Sequence, residues 1–180
     1  MNANKMSRMP LVLALGLLAA GAGPATAQLD LGAPITVQDP AVDLWVSGYS
    51  VPTTADWDAD GVPDLLVGEG GGGFVNGRVR IYRNIGTVAE PAFDGFVYAM
   101  AGEDTLTCPG SGCLGVFPRV VNWDRDGRKD LLIGAADGTV IIHLNTGTDA
   151  EPVFDAGALV QVEGIPPVNI DIGYRATPIM

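Results

Sequence analysis

The stretch DWDADGVPDLLVG (residues 56–68) returns later in the chain as NWDRDGRKDLLIG (residues 122–134). The match continues downstream, where GRVRIYRNIGTVAEPAFD (77–94) lines up with GTVIIHLNTGTDAEPVFD (138–155). Pro52 and Pro118 stand at the same distance before the two copies. The copies differ in length at one loop, GEGGGGFVNG in the first and GAADG in the second. Near the end, GYRATPIM (173–180) resembles GYSVPTTA (48–55), the opening of the first copy. Self-similarity at this period is a severe constraint, because each unit buries its apolar face against the next in a stacked or radial array. Repeat 1 spans about residues 48–114 and repeat 2 about 115–172, while 173–180 begins a third. The chain thus reads as a fragment or a truncated reading frame.

Within each repeat the local pattern is β. Leu65, Leu66 and Val67, like Leu131, Leu132 and Ile133, form short apolar runs directly after the acidic stretches. Residues 79–83 alternate apolar and polar, as a half-buried strand does. Asp137 and Gly138 give a hairpin signal between two such runs. Residues 93–100 and 153–162 supply one further strand per repeat, and no sustained, capped helical stripe follows residue 27. Each repeat is expected to give four short strands, with the acidic loop joining the first to the second. Four-stranded antiparallel units repeated radially make a β-propeller. The expected fold is therefore all-β, with two complete blades and partial ones beside them. Residues 35–47 align with 160–172 and are expected to be the outer strand of an earlier blade.

Four carboxylates within nine residues repel one another, and each raises the cost of ionising the next. A hard cation held by oxygen offsets that cost. Asp56, Asp58 and Asp60 fall at loop positions 1, 3 and 5, and Gly61 at position 6 permits the sharp turn. The backbone carbonyl of Val62 and the carboxylate of Asp64 complete the candidate shell. The second loop offers Asn122, Asp124, Asp126, the carbonyl of Arg128, and Asp130. Asn122 removes one negative charge and Arg125, Arg128 and Lys129 add positive charge, so the second loop is expected to bind more weakly. Oxygen-only ligands favour Ca²⁺ over transition metals, and magnesium prefers to keep its waters. An EF-hand is excluded, because its position 12 needs a carboxylate where this chain has Val67 or Ile133.

The nine-residue loop followed by Leu-Leu resembles the calcium loops of FG-GAP and VCBS repeats, found in integrin-type propellers and many secreted bacterial proteins. The resemblance covers residues 49–180 in two copies, and Asn122 and the glycine-rich insertion after Gly68 depart from its pattern. It implies a calcium-loaded propeller module with a structural or adhesive role and a protein or glycan partner. Two alternatives come with it. Some lectins are calcium-loaded propellers that bind sugars between blades, and certain secreted polysaccharide lyases look like propellers with these loops. The further blades would come from a longer chain or another subunit.

The compartment follows from the first 27 residues. Lys5 and Arg8, an apolar run at 11–20, and the small residues Ala25, Thr26 and Ala27 form a secretory signal with cleavage expected before Gln28. The run is short for a membrane anchor and is broken at 21–24, so no membrane span is expected after cleavage. The protein is then secreted, periplasmic or on the cell surface. The net charge is −11, and losing the signal with its two basic residues makes it more negative still. No basic patch is present to neutralise phosphates, which argues against nucleic acid. Cys108 and Cys113 bracket the turn-forming Pro-Gly-Ser-Gly and are expected to form a disulfide, worth about 2 kcal/mol for so short a loop.

Other conspicuous residues carry less. The glycines 70–73 lack the Gly-Lys-Ser/Thr and the helix of a phosphate loop, and read as a hairpin tip. His143, the sole histidine, aligns with Tyr82 and reads as a packed strand residue. Trp57 and Trp123 read as matched packing anchors, and Tyr49 pairs with Tyr174. With no Ser/His/Asp set and no second histidine, no catalytic residue is expected and the chain reads as non-enzymatic.

Overall fold

The computed structural model describes residues 33, 36–39, 43–70, 76–109 and 115–179. The chain divides into Met1–Pro34 and Ile35–Met180, and everything below concerns the second unit. The expected secretory signal lies outside the described residues. Among those described, no helix is long and apolar enough to cross a membrane.

The described chain is all-β and its sheets are antiparallel. The first sheet places β1 (Val51–Ala55), β2 (Asp64–Glu69), β3 (Asn76–Tyr82) and β4 (Val97–Tyr98) side by side in chain order. A small hairpin of β5 (Met100–Ala101) and β6 (Asp104–Thr105) follows, turned by Gly102 at a φ of 62°. Then β7 (Thr107–Pro109) returns to pair with the start of β3. The second sheet repeats the meander with β8 (Phe117–Val121), β9 (Asp130–Gly134), β10 (Val140–His143) and β11 (Ala158–Leu159). A last hairpin joins β12 (Gln161–Val162) to β13 (Val168–Asn169).

The two sheets share one register. Leu66 lies between Thr53 and Ile81, and its counterpart Leu132 lies between Arg119 and Ile142. Pro52 and Pro118 occupy the edge strands, where a missing N–H leaves no ladder bond unmade. In each sheet the second strand is buried on both faces, so its sequence is a continuous apolar run rather than an alternation.

Packing explains that burial. Leu66, Val79 and Ile81 of the first sheet meet Leu131, Ile133 and Phe154 of the second in one core. The opposite face of the first sheet, with Val67, Tyr82 and Phe93, is covered by Leu44 and Val46. The far face of the second, with Leu132, Val140 and Ile142, is covered by Ala176, Val160 and Ile170. The seam is tight enough to dictate glycine. A Cβ on Gly68 would lie 1.8 Å from the Val116 carbonyl oxygen and 2.9 Å from Pro118 Cδ. One repeat on, a Cβ on Gly134 would lie 1.9 Å from the Ala176 oxygen and 2.7 Å from Pro178 Cδ. Residues 176–178 therefore sit on the second sheet as 116–118 sit on the first.

Two expectations are corrected. The fourth strands are only two residues long, because Gly95 and Gly157, at φ of 79° and 78°, turn the chain just before them. The described part of 35–47 is not an outer strand. Gln38 bridges Asp43 within the segment, and the Leu44 N–H donates to the Val37 carbonyl at 2.8 Å. Self-pairing folds it into a cap over Val67 and Tyr82.

Candidate metal centre

The acidic loop connects β1 to β2, and its counterpart connects β8 to β9. Both follow the same backbone path. Gly61 and Gly127 have φ of 90° and 91°, as position 6 requires. Position 4 is also left-handed, at 61° in Ala59 and 66° in Arg125. These are non-glycine residues in a sparsely populated region, a conformation held by the surrounding hydrogen bonds.

Those bonds use the acids themselves. Asp56 accepts from the N–H groups of Asp60 (3.1 Å) and Gly61 (3.0 Å), and Asp60 accepts from Val62 N–H (2.8 Å). Asn122 accepts from Gly127 N–H at 3.3 Å, Asp124 from Asp126 N–H at 3.1 Å, and Asp126 from Arg128 N–H at 2.8 Å. The last acid closes each loop. Asp64 Oδ2 accepts from Trp57 N–H at 2.6 Å and Oδ1 from Asn84 N–H at 2.7 Å. Asp130 does the same with Trp123 (2.7 Å) and Asn145 (2.9 Å).

In the first loop, one carboxylate oxygen from each of Asp56, Asp58 and Asp64 lies within 4.8 Å of the others. Asp58 Oδ1 is buried there without a hydrogen-bond partner, while its Oδ2 is 3.9 Å from Arg83 Nε. Burial pushes the Asp64 carboxyl above the usual range, its two backbone donors oppose this, and Asp58 and Asp60 add to the rise. The donor set is oxygen only, which fits a hard cation, and the nearest positive charges are Arg83 beside Asp58 and Lys129 on the Asp56 carbonyl. Asp60 stands outside this cluster, and its Oδ1 accepts from the Val62 N–H. Among the described residues, Asp124, Asp126 and Asp130 form no such cluster. Arg128 pairs with Asp126 of its own loop, and the loop is exposed from residue 122 to 128.

The neighbours of the loops differ for a structural reason. Trp57 is 3% exposed and packs against Phe154 of repeat 2, ring centroids 5.7 Å apart. Lys129 Nζ donates to the Asp56 carbonyl at 2.7 Å and pairs with Asp149 at 3.2 Å. Repeat 2 thus covers Trp57 and touches the start of the first loop. Trp123, the counterpart of Trp57, is 43% exposed.

Sequence reasoning missed the two asparagines behind the loops. Asn84 Oδ1 accepts from Gly86 and Ala92, and its amide donates to the Pro63 and Thr87 carbonyls. Asn145 Oδ1 accepts from Gly147 and Val153, and its amide donates to Thr148. The signal was the repeated N-x-G-T-x-x-E-P at 84–91 and 145–152.

Cys108 is a free, buried thiol. Cys113, and with it the expected disulfide, lies outside the described residues. The Cys108 Sγ is 3.5 Å from His143 Nε2, and His143 Nδ1 is 3.1 Å from the Asp155 carbonyl. Burial pushes the thiol up to about 12 and the imidazole below 6.5, so both are neutral, unlike a thiolate–imidazolium pair. The unfolded chain takes up a proton near pH 6.5 that the folded imidazole refuses until lower pH. His143 therefore supports folding fully above that value and loses its contribution as pH falls below it. Urea midpoints should drop between about pH 7 and pH 5, with a shallower drop in His143→Gln. Equal slopes in the two proteins would assign the acid sensitivity elsewhere.

No family model, curated protein or solved structure matches this chain.

Proposed function

We propose that the loop at residues 56–64 binds a calcium ion, and that the chain is an exported, non-enzymatic β-propeller repeat module with a structural, adhesive or ligand-binding role. The metal reading is carried by the convergence of one oxygen each from Asp56, Asp58 and Asp64, together with a buried Asp58 Oδ1 that has no hydrogen-bond partner. The blade reading is supported by two four-strand meanders of identical register packed face to face. A partner would be a protein or a glycan outside the cytoplasm.

Asp56, Asp58 and Asp64 would hold the ion, with the Val62 carbonyl available to join them. The ion supplies the positive charge that lets three close carboxylates remain ionised together. Asp64 already ties the loop's start to the end of β3 through Trp57 and Asn84. Binding there would fix β1 against β2 and seat Trp57 against Phe154. The second loop, with Asn122, Asp124, Asp126, Arg128 and Asp130, would bind more weakly, because Asn122 is uncharged and Arg128 competes for Asp126.

Calorimetric titration should give a dissociation constant of about 0.1–1 mM for the first loop, the range of extracellular calcium modules. In about 10 mM calcium, stability should rise by about 1.4–2.7 kcal/mol over chelator, and the melting temperature by about 3–10 °C. Asp58→Asn should remove most of this shift and Asp124→Asn little of it. Identical melting in chelator and calcium, with no binding heat, would falsify the reading.

A further inference from the structure

The clustered acids of the first loop already meet one cation of the chain itself. Arg83 follows the end of β3, one residue before Asn84, whose N–H braces Asp64. Its Nε lies 3.9 Å from Asp58 Oδ2. The other cation beside the loop, Lys129, is engaged differently. Its ammonium group reaches the Asp56 main-chain carbonyl and pairs with Asp149, so its charge is answered within repeat 2. Of the two, Arg83 is the one set against a clustered carboxylate.

Two further observations bear on that contact. The Arg83 side chain is 51% exposed, and it lines a cleft of about 650 Å³ walled by Trp57, Phe96 and Tyr98 of repeat 1 and by Pro152 and Val153 of repeat 2. The guanidinium therefore has open space to move into when Asp58 takes another partner. Repeat 2 has Leu144 at the corresponding position, and there Arg128 pairs with Asp126 of its own loop. In both loops one arginine is set against one acid, but Arg83 enters from outside the loop and can leave it without disturbing the loop backbone.

We propose that Arg83 is a built-in competitor of the ion at the first loop. It compensates the carboxylates when calcium is scarce, leaves Asp58 when calcium binds, and so sets the concentration at which the loop fills. The inference rests on the calcium reading of residues 56–64. A divalent ion and a guanidinium sharing one carboxylate near the surface repel each other. With the screening of about 0.1 M salt, this amounts to about a three- to tenfold loss of affinity.

Calorimetric titration of the full chain with calcium chloride, beside melting in chelator, tests it. Arg83→Gln should bind calcium about three- to tenfold more tightly than wild type in about 0.1 M salt, and the gap should fall below about twofold in about 1 M salt. In chelator the same variant should melt lower, because the carboxylates have lost their counter-charge. Its calcium-induced rise in melting temperature should nevertheless be about 2–5 °C larger than that of wild type. A purely structural role would lower stability and affinity together. Arg83→Lys keeps the charge and should stay within about twofold of wild type in affinity. Equal or weaker binding by Arg83→Gln overturns the proposal and leaves the calcium reading standing. So does a gap that ignores salt or is matched by Arg83→Lys. Absence of calcium binding from both wild type and Arg83→Gln overturns the two together.

Discussion

Asp130→Ala should destabilise the protein by about 3–5 kcal/mol, measured as a shift in the urea unfolding curve. The carboxylate is 1% exposed and accepts two backbone N–H groups, from Trp123 and Asn145. Both are charge-assisted bonds, worth about 1.5–3 kcal/mol each, and alanine leaves the donors without a partner. Asp130 belongs to the loop whose acids do not converge, so in chelator its loss reads out the brace apart from any metal. Asp64→Ala removes the same brace from the first loop, together with one of the three clustered carboxylates. In chelator the two variants should lose similar stability. In calcium, Asp64→Ala should lose more relative to wild type. An Asp130→Ala cost below about 1 kcal/mol would mean the loop is held by something other than this carboxylate.

The second large effect is expected at Glu69. This glutamate is 1% exposed at the end of β2, where it pairs with Arg80 and, at 2.9 Å, with Arg78, and accepts from the Tyr98 hydroxyl at 2.9 Å. Both guanidinium groups lie over aromatic rings, Arg78 at 4.6 Å from the Tyr98 centroid and Arg80 at 4.2 Å from that of Phe96. Glu69→Gln would leave two neighbouring cations facing a neutral amide, at a cost of about 3 kcal/mol by the measured penalty for breaking a buried pair from one side. Repeat 2 indicates how to relieve it. Ala135, Thr139 and Ile141 stand at the positions of Glu69, Arg78 and Arg80, and Ala135 is fully buried without any ion pair. Replacing the triad together by Ala, Thr and Ile should therefore cost less than Glu69→Gln alone. A triple variant less stable than the single one would show that the charges contribute net stability beyond their geometry.

Much of the architecture was readable because the chain contains its own alignment. Matching residues 56–68 with 122–134 located the strands on either side of each loop, whereas the edge position of Pro52 and Pro118 came only from the strand pairing. Of the four acids at ligand spacing in the first loop, Asp56, Asp58 and Asp64 converge and Asp60 does not. What the pattern could not reveal depends on contacts between repeats. The two loops have nearly the same backbone, yet Trp57 is covered and Trp123 is not, because only the first has Phe154 and Lys129 packed against it. The left-handed Ala59 and Arg125 carry no residue-type signal, since neither is glycine or asparagine. Asn84 and Asn145 were visible as repeated letters, but their side-chain bonding, four bonds at Asn84 and three at Asn145, depends on a turn that closes only in three dimensions. The neighbourhood of Cys108 and His143 joins strands β7 and β10 from different repeats, beyond the reach of local periodicity.

The Trp57–Phe154 contact also sets an order of events during synthesis. Residues travel out of the ribosome from the amino end, so the indole emerges long before the phenyl ring that covers it. Until translation passes residue 154, a nascent first unit presents a bare aromatic side chain to whatever chaperones attend the exit tunnel. Slow codons between the two would lengthen that exposure.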